Sequence, residues 1–209
     1  MTSSAGSSPA PEPEPTYWGP IFTIPNIISF VRLACIPLFV WLLFGREHRA
    51  AAAWLLAALG ATDWVDGWIA RRFDQVSELG KVLDPTADRM MFVVAIPAIA
   101  IDGGAPGWFA TLTVAREVVV GVAAIALAGL GVRRIDVTWW GKTGTFLLMF
   151  AFPMFLGSVS TLSYAPALRW GAWLFGLPGL AISWYAAGGY VPIALQAMRE
   201  RNLGTSTST

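Results

Sequence analysis

The chain has 209 residues, of which 56% are hydrophobic and only 13% charged. Soluble domains carry about 25% charged residues, so the composition excludes an ordinary water-soluble globule, and the length allows one membrane-embedded domain. The net charge of +1 excludes the strongly basic surface that nucleic acid requires, and the single cysteine, Cys35, excludes an internal disulfide.

Residues 1–15 are Ser, Pro, Ala and Glu with little else, and cannot bury a core. The expected organisation is a disordered tail over 1–20, a membrane domain over 21–200 and a loose tail over 201–209. The N-terminal stretch has neither the basic start nor the apolar run of a signal peptide. A membrane-spanning helix needs about 20 mostly apolar residues. Six segments qualify: Ile24–Phe44, Ala50–Phe73, Leu79–Ile101, Gly107–Gly129, Thr138–Val159 and Trp170–Met198. The predicted fold class is therefore an all-α integral membrane protein with six transmembrane helices. The sixth segment carries Gly188, Gly189 and Pro192 and is expected to kink or tilt. Several of the 11 tryptophans (Trp18, Trp139, Trp140, Trp170, Trp173) stand near segment ends, as in interfacial aromatic belts. No internal repeat is evident, which counts against transporters built from repeated halves.

Loop charge sets orientation. With the N-terminus inside, Arg71, Arg72, Lys81, Arg133, Arg134, Lys142, Arg199 and Arg201 face the cytosol. Only Arg46, Arg49 and Arg169 face outward. Both termini are expected on the cytoplasmic side of the cell (inner) membrane. His48, the one histidine, falls in an outer polar loop.

The second and third segments contain Asp63, Asp66, Asp84, Asp88 and Arg89. A charge at a membrane helix centre costs about 2.5–3.5 kcal/mol on insertion scales, so four uncompensated aspartates would be a burden on the order of 10 kcal/mol. Spacings of three (Asp63, Asp66) and four (Asp84, Asp88) put each pair on one helix face. A short polar connection around residues 74–80 makes the two helices antiparallel neighbours, so the carboxylates can converge near the cytosolic end. Two divalent cations would balance four negative charges, and all-oxygen ligation suits Mg²⁺, Mn²⁺ or Ca²⁺ rather than Zn²⁺. Such a pair stabilises both attacking and leaving oxygens in phosphoryl transfer. Gly67 and Ala70 leave room for a ligand against the helix backbone, Gly80 does the same at the start of the third helix, and Arg71 is placed to hold a phosphate oxygen.

Read through, Asp63-x2-Asp66-Gly67-x2-Ala70-Arg71-x8-Gly80-x3-Asp84-x3-Asp88 resembles the signature of the CDP-alcohol phosphotransferase family, with every fixed position matched. Pro25-Asn26-Ile-Ile-Ser29-Phe-Val-Arg32, Arg116-Glu117 and Gly141-Lys142-Thr143 resemble further motifs of its bacterial phosphatidylglycerophosphate synthase and cardiolipin synthase branch. The resemblance implies Asp63, Asp66 and Asp84 as metal ligands and Asp88 as ligand, general base or both, around two Mg²⁺ or Mn²⁺ ions. It implies Asp66, Gly67, Ala70, Arg71 and Gly80 as the CDP-binding residues and a site open to the cytosol. It also implies a homodimer in the lipid bilayer, transferring the phosphatidyl group of CDP-diacylglycerol to an alcohol with release of CMP. Candidate acceptor-binding cations are Arg116 and Lys142, with Arg89 and Arg32 behind them. Where the synthases that use glycerol 3-phosphate often carry a second lysine, this chain has Gly144. That departure is closer to cardiolipin synthases, whose acceptor is phosphatidylglycerol. The two acceptors stand near even, with an inositol phosphate third. A cation-binding transporter is the alternative of another class, but it does not account for the Gly67, Ala70, Arg71 and Gly80 spacing.

Overall fold

The computed structural model describes residues 24–73, 78–129, 139–190 and 192, with side chains for all of these but 24–26, 63–73, 78–85, 88 and 128. Both expected tails fall outside the described residues. The described residues form six α-helices and no strand: α1 (Ile24–Val40), α2 (Arg49–Phe73), α3 (Glu78–Ile101), α4 (Gly107–Gly129), α5 (Trp139–Ser158) and α6 (Ala165–Gly188). Two of them, α1 with its extension and α4, are long and apolar enough to cross a membrane by length and composition alone.

Three boundaries depart from the sequence expectation. The first segment does not stay α-helical to Phe44: Trp41–Gly45 is a π-helical turn, and the Arg46 amide donates to the Trp41 carbonyl at 3.0 Å. The Arg46 guanidinium covers the Trp41 ring at 5.2 Å, a cation–π contact. The sixth helix begins five residues before Trp170, at Ala165, because Pro166 sits in its first turn, where a missing N–H costs nothing. The sixth helix also stops at Gly188, ten residues before the expected Met198.

The core is apolar and shared by all six helices, through Phe39, Leu56, Ile99, Phe109, Phe152 and Leu180 among others. The periphery is apolar too: Ile125 is 77% and Trp170 80% exposed. A soluble surface does not carry such residues in bulk; a lipid-facing one does. The closest helix pair is α5 and α6. A Cβ at Gly144 would stand 2.5 Å from Ser183 Oγ and 2.8 Å from the Ser183 amide nitrogen, and one at Gly179 would stand 3.1 Å from the Leu148 nitrogen. Glycines at a crossing let helix backbones approach closely.

Opposite ends of the chain order are pinned at one face. Gly103, with φ +79°, ends α3 in the left-handed conformation. The Arg49 Nε there donates to both Asp102 carboxylate oxygens, at 3.1 and 2.9 Å, tying the start of α2 to the end of α3. The Asp102 carboxylate raises the Arg49 pKa further above its ordinary value. The stability this shift adds is lost as pH rises through the raised Arg49 pKa, far above working pH. Arg49 is 43% exposed, so Arg49→Ala is expected to cost under about 1 kcal/mol, and less at high salt. Thermal melts at two ionic strengths check this.

Candidate active site

The Asp63, Asp66, Gly67, Ala70 and Arg71 positions lie in the second half of α2, and the Gly80, Asp84, Asp88 and Arg89 positions lie in the first half of α3. The spacings of three and four therefore act on continuous helix, and each aspartate pair shares a face. Apart from Arg89, the side chains of these residues lie outside the described set. No group of three or more His, Cys, Asp or Glu is found among the described residues, a set without those four carboxylates.

Backbone register can still be counted from the Arg49–Asp102 pair. Asp63 lies 14 residues after Arg49, and Asp88 lies 14 residues before Asp102. At 1.5 Å per residue both sit about 21 Å from that pair. Asp66 and Asp84, at 17 and 18 residues, sit about 26 Å away. The Arg49–Asp102 pair joins the start of α2 to the end of α3, so the two helices run antiparallel. Among the described residues both pack on α1 rather than closely on each other, and Leu56 and Leu59 share one apolar space with Met91 and Ala95 and with Ile36 and Phe39 of α1. The four aspartates thus occupy two matched levels toward the end of the bundle away from Arg49. In a hydrocarbon layer of about 30 Å that end is near one surface, not the midplane. An all-carboxylate donor set at matched levels fits two hard divalent cations.

The four candidate acceptor cations differ in setting. Arg32 is 1% exposed on α1, which packs against both α2 and α3. It lies 13 residues before Gly45, about the level of Asp63 and Asp88. Arg116 is 6% exposed. Its Nη1 donates to the adjacent Glu117 carboxylate, and its Nε to the Ser183 carbonyl of α6 at 3.4 Å. Arg89 and Lys142 are exposed on α3 and α5. Lys142 lies 16 residues before Ser158, so it too belongs to the carboxylate end.

Gly144, two residues further along, has a role that the sequence reading did not give it. It is buried against Ser183 and Gly179, with no room for any side chain. The same crossing explains Ser183, whose buried hydroxyl stands against Gly144. Neither Gly179 nor Ser183 was singled out from sequence, although Gly179-x3-Ser183 is a small-x3-small pattern that marks close helix contacts.

Residues 22–178 match the family described as CDP-alcohol phosphatidyltransferase, a span running from the threshold of α1 well into α6. The chain is 36% identical over 176 residues to the cardiolipin synthase (CMP-forming) of Streptomyces coelicolor, covering 82% of each chain. It is 34% identical over 141 residues to the probable phosphatidylglycerophosphate synthase of Mycobacterium tuberculosis, covering 65% of this chain and 66% of that one. It is also 33% identical over 142 residues to the CDP-diacylglycerol–glycerol-3-phosphate 3-phosphatidyltransferase of Escherichia coli, covering 65% of this chain and 77% of that one.

Proposed function

Since this chain belongs to the CDP-alcohol phosphatidyltransferase family, we propose that the phosphatidyl group it transfers comes from CDP-diacylglycerol and goes to phosphatidylglycerol, forming cardiolipin and CMP. As a member, it is a transferase of phospholipid biosynthesis. The acceptor hydroxyl oxygen bonds to the phosphorus bearing diacylglycerol, the bond from that phosphorus to the CMP oxygen breaks, and the hydroxyl proton passes to the Asp88 carboxylate. A hydroxyl attacks poorly until a base takes its proton. Arg71 holds a diphosphate oxygen, while Gly67, Ala70 and Gly80 let the nucleotide lie against the helix backbones. Two Mg²⁺ or Mn²⁺ ions, held by Asp63, Asp66, Asp84 and Asp88, would supply neutralisation of the diphosphate charge.

The observation that carries the choice of acceptor is the closed position at Gly144, taken with the pairing of Arg116 to Glu117. Glycerol 3-phosphate brings a phosphomonoester, which calls for more cationic contacts than the phosphodiester of phosphatidylglycerol. Here one such position has no room for a lysine, and Arg116 is already partly neutralised. The relative named cardiolipin synthase supports the same choice, with the greater coverage of the three. Glycerol 3-phosphate is the second reading, favoured by the exposed Lys142 at the carboxylate end and by the other two relatives.

The same reading places all six helices across the cell membrane, with both termini and the carboxylate end on the cytoplasmic side. The excess of Lys and Arg in the loops at that end supports this, as does the apolar periphery. Residues 21–200 are the catalytic membrane domain, and the functional unit is a homodimer, which rests on the family resemblance.

The test is CMP release by purified protein given CDP-diacylglycerol, Mg²⁺ or Mn²⁺, and each acceptor separately. Release with phosphatidylglycerol alone is expected. Release with glycerol 3-phosphate alone would replace the acceptor and keep the reaction. No release with either would remove both.

A further inference from the structure

At the end of the bundle opposite the aspartates, two cavities lie one below the other along α2. The first, of about 230 Å³, has a mixed lining in which Arg46, Glu47, His48, Arg49, Ser160 and Thr161 supply the polar groups. The second, of about 160 Å³, is almost wholly apolar and is lined by Ala53, Trp54, Ala57, Gly157, Tyr164 and Leu168 among others. Ala50 of the first and Ala53 and Ala57 of the second share one face of α2, and the α5–α6 connection walls both. A pocket with polar groups at a helix end above an apolar groove has the division of a phospholipid, with the headgroup at the interface and a chain below.

The charges select the headgroup. Arg49 is committed to Asp102. The remaining formal charges lining the pocket are Arg46 and Glu47, one of each sign. Glu47 has φ 52°, the one non-glycine with positive φ among the described residues. A non-glycine residue held there is backbone strain that tends to mark a functional position. A purely anionic headgroup would meet Arg46 but also Glu47, whereas a zwitterion meets both. Trp54 and Tyr164, both exposed, flank the groove as interfacial aromatics do.

We propose that this end of the bundle holds one zwitterionic phospholipid bearing a headgroup amine. Its phosphate lies on Arg46, its amine on Glu47, and one acyl chain lies in the groove between α2 and the α5–α6 connection. The groove reaches Ala57, about 9 Å along α2 from the Asp63 level, while the headgroup pocket at its far end stands about 21–26 Å from the aspartate levels. It is therefore distinct from the substrate lipids of the proposed reaction and does not depend on which acceptor is used.

The experiment is native mass spectrometry of the full chain in mild detergent, titrated with phosphatidylethanolamine, phosphatidylglycerol or inorganic phosphate. One retained phosphatidylethanolamine is expected. Its affinity should fall at least about tenfold in Arg46→Gln and in Glu47→Gln, the loss expected from one charged hydrogen bond. A similar fall is expected in Ala57→Phe, which fills the groove. Phosphatidylglycerol binding should be indifferent to Glu47→Gln. Arg46 and Glu47 are exposed, so their variants keep the fold, and transfer activity should be unchanged in both. Phosphatidylethanolamine retention equal in all three variants would overturn the site. Phosphate displacing the lipid one for one would reduce it to a free-anion pocket. Tighter phosphatidylglycerol binding that is lost in Arg46→Gln would overturn the zwitterion.

Discussion

Asp84→Asn is expected to lower transfer at least about 10²-fold while leaving the protein at least as stable as the parent. Asparagine keeps the shape and one oxygen but loses the negative charge that a divalent cation requires. Removing one well-placed electrostatic contact from a transfer reaction typically costs about 10²–10³ in rate. Stability should move the other way. A carboxylate inside a membrane helix costs about 2.5–3.5 kcal/mol, and crowding four at two matched levels adds repulsion. The metal-free variant should therefore melt no lower than the parent, and Mn²⁺ should stabilise it far less. Activity within twofold of the parent would remove Asp84 from the site. A lower melting temperature in metal-free buffer would assign Asp84 to packing instead.

The second large effect is expected at Gly144. Gly144→Lys should prevent stable assembly of α5 on α6. Even the first carbon of a side chain would stand 2.5 Å from Ser183 Oγ, 2.8 Å from the Ser183 nitrogen and 3.1 Å from the Gly179 carbonyl. Overpacking alone costs about 1–3 kcal/mol, and a buried, unpaired ammonium adds several more. Gly144→Ala should give a milder loss of about 1–3 kcal/mol. Adding Ser183→Gly should relieve it only in part, because the backbone nitrogen and carbonyl remain close. Melting of the detergent-purified variants measures this. A Gly144→Lys protein with parental melting would mean that the two helices do not cross so closely. It would also reopen the lysine position as a simple switch of acceptor.

That second result bears on how much the sequence carried. The absence of a lysine at 144 reads from sequence as a statement about the acceptor's charge. In the structure the position is a helix contact with no room for a side chain, so packing is what keeps a lysine from this acceptor position. The two readings converge, but the reason lies in α6, 35 residues away at Gly179 and 39 away at Ser183. From sequence, Arg116 is a candidate acceptor-binding cation. The structure supplies the Glu117 contact and adds the Ser183 carbonyl.

The sequence alone determined the helices and the chemistry. Apolar runs of membrane length bound the elements closely, and α4 falls on Gly107–Gly129 as its composition predicts. Spacings of three and four put each aspartate pair on one face, because helical period is a local property. A run of charge inside apolar segments declares its own need for compensation. Tertiary structure decided the rest. The matched levels of Asp63 with Asp88 and of Asp66 with Asp84 rest on the Arg49–Asp102 pair, which joins residues 53 apart. The early start of α6, the closed position at Gly144 and the paired cavities beside α2 likewise depend on contacts between distant residues. Such contacts follow from how helices pack, and helix packing is not encoded in the period of any single segment.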